Sequence, residues 1–142
     1  MRNTIIIIIL SLMIFSCSKD NVASSPVLKY KSINTTVIQE GQYVQFTLTF
    51  TDTNGDADSL FIQKIVPACP ASDFVDSVAL PGFPSSKKLS GDILVTYGNG
   101  VLPLIGAPQC GVNDSCYFRF VLKDLSGQKS DTIISPYIVV VK

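Results

Sequence analysis

The sequence predicts an all-β fold, a single sandwich of about seven short strands. Two observations carry this. The strongest hydropathy signals repeat every second residue: Tyr43-Val44-Gln45-Phe46-Thr47-Leu48-Thr49-Phe50 and Cys116-Tyr117-Phe118-Arg119-Phe120-Val121-Leu122-Lys123 both alternate apolar with polar or exposed positions. No window repeats with the helical period, and turn signals separate the apolar runs.

Taken in order, residues 21–26 are polar and small, the composition of a flexible tether. Strands are expected at 27–33 and 36–38. Gly41 breaks the chain ahead of the first strong strand, which turns Val44, Phe46, Leu48 and Phe50 to one face and Gln45, Thr47 and Thr49 to the other. Weaker strands are expected at 60–66 and 93–97. In the second strong strand Phe118, Phe120 and Leu122 point inward. The last strand, 132–141, contains Pro136, which cannot donate to a ladder and makes it an edge strand or splits it at a bulge. Residues 66–88 hold four of the eight prolines and read as a long, mostly irregular connection. Within it, 78–84 reads as a lid over the domain's own core, with exposed apolar contacts as the alternative.

The run from Tyr117 through Asp124 to Asp131 resembles the F strand, loop and G strand of bacterial immunoglobulin-like and fibronectin-III-like domains. Such domains often end in an aromatic strand, an Asp-x-x-Gly turn (here Asp124 to Gly127) and a polar lead-in. Phe46 to Asp52, followed by Asn54-Gly55-Asp56, resembles the B strand and acidic loop frequent in lipoproteins of this kind. The resemblance covers roughly 41–58 and 116–142. It implies one immunoglobulin-like domain over 27–142, and no defined activity.

Residues 1–16 read as a lipoprotein signal peptide. Arg2 precedes an apolar run at 5–15, which as a helix would rise roughly 17 Å against a hydrocarbon core of about 30 Å. It is too short to span and fits a secretory leader. Ile14-Phe15-Ser16-Cys17 resembles the lipobox, although Phe15 is larger than the residue usual there. This implies cleavage before Cys17 and attachment of acyl chains such as palmitate to Cys17, with 17–26 as the lipidated tether. Ordinary secretory cleavage is the competing reading. The Cys17-Ser18-Lys19-Asp20 opening resembles small lipoproteins of the Bacteroidota, which implies outer-membrane attachment with the leaflet left open.

Removing 16 leader residues from 142 leaves 126, enough for one domain with a real core. Only Arg2 is lost among the charges, leaving 10 basic against 11 acidic residues and a net charge of −1. That balance speaks against a nucleic-acid partner. Lys87-Lys88, the only adjacent basic pair, reads as a solvated loop. The chain has no histidine and no tryptophan, which removes Ser-His-Asp, Cys-His and His-ligated zinc chemistry and the commonest platform for stacking sugars. A non-enzymatic protein is expected. The enzymatic alternative is a small hydrolase using paired carboxylates, Asp73 with Asp76 or Asp52 with Asp56.

Asp52-Thr53-Asn54-Gly55-Asp56-Ala57-Asp58 carries oxygen side chains at alternate positions, as a hard cation such as calcium requires. Gly55 follows the second of them and no Glu closes the loop, so this is not an EF-hand. In the immunoglobulin-like arrangement the loops after strands B and F share one end, which would bring Asp124, and Asp131 with it, toward Asp52, Asp56 and Asp58. Two readings stand: a solvated Asn-Gly turn, or a structural Ca2+ held by Asp52, Asn54, Asp56, Asp58 and Asp124.

With Cys17 lipidated, Cys69, Cys110 and Cys116 remain, an odd number in an oxidising compartment. One disulfide and one free thiol are expected. The resemblance sets the end of strand C beside the start of strand F, opposite the acidic loop, and so favours Cys69 as one partner with Cys110 or Cys116 as the other. Pairing of Cys110 with Cys116 is the third option. A catalytic cysteine lacks a base. The expected function is a lipid-anchored envelope module for binding, adhesion or complex assembly, with an unknown protein partner. An accessory subunit of an uptake or secretion complex is the alternative, and the 66–88 connection is the first candidate partner surface.

Overall fold

The structure, a computed structural model, describes residues 24–82 and 88–142. The leader, Cys17, Phe83, Pro84 and Lys87 lie outside the described residues. The described strands are β1 (Val27–Ile33), β2 (Val37–Ile38), β3 (Tyr43–Asp52), β4 (Ala57–Ile65), β5 (Phe74–Ala79), β6 (Leu89–Gly98), β7 (Asp114–Asp124), β8 (Ile133–Ile134) and β9 (Ile138–Val140), with one 3-10 turn at Pro70–Ser72. They form two facing sheets, ordered β1-β3-β6 and β2-β9-β7-β4-β5, with β8 also on β7. The fold is the all-β sandwich expected, in the strand order of an immunoglobulin-like domain. Among the described residues no helix is long and apolar enough to cross a membrane.

The alternation of β3 and β7 sets the core. Val44, Phe46, Leu48 and Phe50 face Cys116, Phe118, Phe120 and Leu122, and all eight are buried. Phe46 packs on Phe118 and Phe120 with ring centroids 4.8 and 5.3 Å apart. Each such side chain contributes about 1.5–3 kcal/mol on leaving water, so this aromatic seam is what joins the two sheets.

The chain changes sheets early. β1 pairs antiparallel with β3, then β2 crosses to lie parallel to β9. Asn34 anchors the crossing: its Nδ2 donates to the Tyr43 carbonyl, and its Oδ1 accepts from the Gln45 amide. At the other end of the chain Pro136 splits the last strand into β8 and β9. Ser135 Oγ accepts from the Phe118 amide there, and Ser130 Oγ accepts from the Leu122 amide. Two hydroxyls thus satisfy inner donors of β7 where ladder pairing is interrupted.

The 66–88 segment is not mostly irregular, because β5 lies within it and pairs along β4 from Ser59–Ala79 to Lys64–Phe74. Asp76 hid this strand. It sits in register with the buried Ile62 between Phe74 and Val78, breaking the apolar alternation, and Tyr97 Oη donates to its Oδ2 at 2.8 Å. Leu80 just beyond β5 packs on the core, while Val78 is exposed.

Candidate functional site: the two ends of the sandwich

At one end the β3–β4 turn meets the β7–β8 turn. Asp52 closes β3, and its carboxylate accepts from the backbone amides of Asn54 (3.4 Å) and Asp56 (2.8 Å) while Gly55 turns with φ 72°. Asp124 closes β7 in the same way, its Oδ1 accepting from Ser126 Oγ at 2.8 Å and the Gln128 amide at 2.7 Å. The turns are tied together, since the Leu125 amide donates to the Asp56 carbonyl at 2.9 Å and Ala57 pairs with Asp124.

Three of the predicted carboxylates therefore converge: Asp52, Asp56 and Asp124. Asp52 and Asp124 are fully buried, and Asp56 Oδ1 and Asp124 Oδ2 are enclosed with no hydrogen-bond partner. Burial, then the charges of Asp124 and Asp52, push the Asp56 carboxyl above the usual carboxylate range. Asn54 is exposed and its Oδ1 accepts from Ser24 Oγ at 3.5 Å. Asp58 is the unpaired residue at a register shift between Ala57 and Ser59, and its carboxylate accepts from the Ser59 hydroxyl at 3.1 Å. Asp131 is exposed. Among the described residues no set of three or more His, Cys, Asp or Glu stands in ready-made metal-ligand geometry.

The chain enters the domain at this same end. Val27 pairs with Thr51, and Ser24 Oγ bonds to Thr53 Oγ1. β7 has eleven residues, so the opposite end is about 37 Å away.

That far end is cross-linked. Cys69, after β4, is disulfide-bonded to Cys110 in the 99–113 loop, and Cys116 is a buried free thiol. Ser72 Oγ accepts from the Gln109 amide at 2.9 Å, a second tie between the same two segments. Beneath the bridge Lys64 Nζ lies 3.0 Å from Asp114 Oδ2, with the side chains 0% and 1% exposed. The Gly106 carbonyl, at 3.5 Å, is a further acceptor for Lys64, and Asp114 Oδ1 has no donor. Burial pushes the Cys116 thiol up to about 12; Lys64 opposes the shift, and Asp114 and Asp73 add to it.

Sequence reasoning missed this buried ion pair. The signal was its register: Leu60, Ile62, Lys64 and Val66 share one parity, so a charge stands in an inward row. The 99–113 loop leaves Leu102, Leu104 and Val112 exposed, Leu102 to 78%, and Leu104 lines a hollow of about 360 Å³ together with Glu40, Pro108 and Lys142. Gly98 is required at its base, because a Cβ there would stand 2.4 Å from Val101. The Asp73 and Asp76 carboxylates are taken up structurally, by the Val66 amide and by Tyr97 Oη respectively.

No protein-family model matches the chain, and no curated protein matches it. Among solved structures it is similar to the sporulation control protein Spo0M from Bacillus subtilis, at 11% identity and a TM-score of 0.47, covering 84% of this chain and 50% of that one. It is also similar to a β-glucosidase from Listeria innocua in complexes with gluconolactone and with glucose, at 14% and 15% identity and TM-scores of 0.38. Those matches cover 84% of this chain and 16% of the glucosidase. The chain thus spans half the length of the first structure and a small part of the second.

Proposed function

We propose that the protein is a lipid-anchored, non-enzymatic module of the cell envelope that holds a protein partner at the disulfide-bonded end of its sandwich. The polarity of the domain supports this reading. The chain enters beside the Asp52 and Asp124 turns, while the exposed Leu102, Leu104 and Val112 lie on the 99–113 loop at the opposite end. From a lipidated Cys17, residues 18–23 reach about 20 Å fully extended, which keeps the carboxylate end near the bilayer and the loop end away from it. A disulfide and a buried ion pair beneath that loop pre-organise it, reducing the ordering entropy that binding must overcome.

The test is site-specific photo-crosslinking in the native envelope. A photoreactive side chain at Leu102 or Val112 is expected to capture the same partner, and one at Leu125, exposed at the carboxylate end, to capture none. Intact mass is expected to show acyl chains on Cys17, and Cys17→Ser to release the protein from the membrane. Capture from Leu125 alone, or an unacylated first residue, overturns the proposal. A partner that is itself an outer-membrane uptake or secretion component would identify the module as an accessory subunit rather than an adhesin.

A further inference from the structure

We propose that Asp52, Asp56 and Asp124 form a calcium site that locks the β3–β4 and β7–β8 turns together, independently of anchoring. Acidic turns alone would not carry this, since Asp52 and the Asp124 Oδ1 are both used in capping their own turns. What points to a ligand is the other half of the Asp124 carboxylate. Asp124 is 0% exposed and its Oδ2 has no partner, and Asp56 Oδ1 is likewise enclosed and unpartnered on the adjoining turn.

A buried carboxylate oxygen without a donor is costly, and the charges acting on Asp56 are those of two further carboxylates, Asp124 and Asp52. A divalent cation removes both penalties at once. The donors are all oxygens on two turns of unequal shape. That suits calcium, which accepts six to eight oxygens in irregular arrangements completed by carbonyls and water, better than magnesium, which demands an octahedron. No His exists in the chain and the described cysteines are at or near the far end, so zinc has no preferred donors here.

Thermal melts of the full chain in detergent, in 150 mM NaCl with 5 mM calcium chloride, 5 mM magnesium chloride or EDTA, test the proposal. For a dissociation constant of about 0.5 mM, in the range of extracellular modules, calcium should raise Tm by about 5 °C over EDTA. Magnesium should give less than about 1 °C on the same scale. Asp124→Asn keeps the acceptor used by Ser126 and Gln128 and replaces the unpartnered oxygen with an amide. It should melt in EDTA at or above the wild type and show no calcium response. Asp56→Asn, which leaves both turn caps in place, should behave alike and decides the matter if the first variant does not fold. No calcium shift in the wild type, an equal shift with magnesium, or a shift retained in either variant overturns the proposal.

Discussion

Asp114→Ala leaves the Lys64 ammonium inside the protein with the Gly106 carbonyl, 3.5 Å away, as its one remaining acceptor. Lys64 is 0% exposed, so water cannot take the place of the lost carboxylate without opening the end of the sandwich. Removing one partner of such a pair is expected to cost about 3–5 kcal/mol, a large share of the 5–15 kcal/mol that ordinarily holds a domain together. With a urea dependence of about 1.5–2 kcal/mol per molar for a domain of this size, the midpoint should fall by about 2 M. Far-UV circular dichroism together with tyrosine fluorescence follows the transition, the chain having no tryptophan. Lys64→Met alone should be comparably damaging, since Asp114 would then be buried with neither oxygen paired. The double variant Lys64→Met/Asp114→Leu should recover most of the loss, because two apolar side chains leave no charge to desolvate. A midpoint shift below about 0.5 M for Asp114→Ala, or two single effects that simply add in the double variant, would refute the reasoning.

Cys116 ionises at 9.0 when unperturbed and is pushed up to about 12 in the fold. A raised value means stability present at low pH and lost as pH climbs from 9 toward 12. Urea titrations should show the wild type losing about 1.4 kcal/mol more than Cys116→Ala between pH 8 and pH 10. The same thiol should ignore Ellman's reagent at pH 8 until urea unfolds the chain, when one equivalent reacts. Cys69→Ser combined with Cys110→Ser opens a loop of 41 residues' separation and should lower stability by about 4 kcal/mol in the chain-entropy model, read from the urea midpoint. Tyr97→Phe removes the hydroxyl that donates to Asp76 and should cost about 1 kcal/mol, seen as a Tm lower by about 4 °C.

Period-two alternation made β3 and β7 legible, including which side chains point inward, because both strands bury one face against the other. β5 was not legible because Asp76 occupies an inward position, where the Ser77 amide and the Tyr97 hydroxyl, on the next strand but in the facing sheet, take up its two oxygens. The meeting of Asp52, Asp56 and Asp124 followed from assigning strands B and F to one end. The position of Asp58 did not, since a register shift between Ala57 and Ser59 re-aims the chain there and no spacing rule announces it, and Asn54 faces Ser24 on the exposed side of the turn. Fold-level neighbourhood left Cys110 and Cys116 both open as partners of Cys69. Strand parity separates them: Cys116 belongs to the inward row of β7, whereas Cys110 sits in the preceding loop. Lys64 lay in a correctly expected strand, yet a charge in an inward row declares its partner only when Asp114 is brought beside it.

The parallel contact of β2 with β9 has a mechanical consequence. A pull applied between the start of β1 and the far loop runs along the strand axes, whereas the bonds from Val139 N to the Thr36 carbonyl and from Val141 N to the Ile38 carbonyl lie across them. β2 against β9, and β1 against β3, are then loaded in shear, so the bonds of each pair bear tension together instead of parting one by one. Force entering at residues 99–113 crosses covalently from Cys110 to Cys69. The slack of that loop is bypassed, and the load passes straight into β4, which lies between β7 and β5 in the larger sheet.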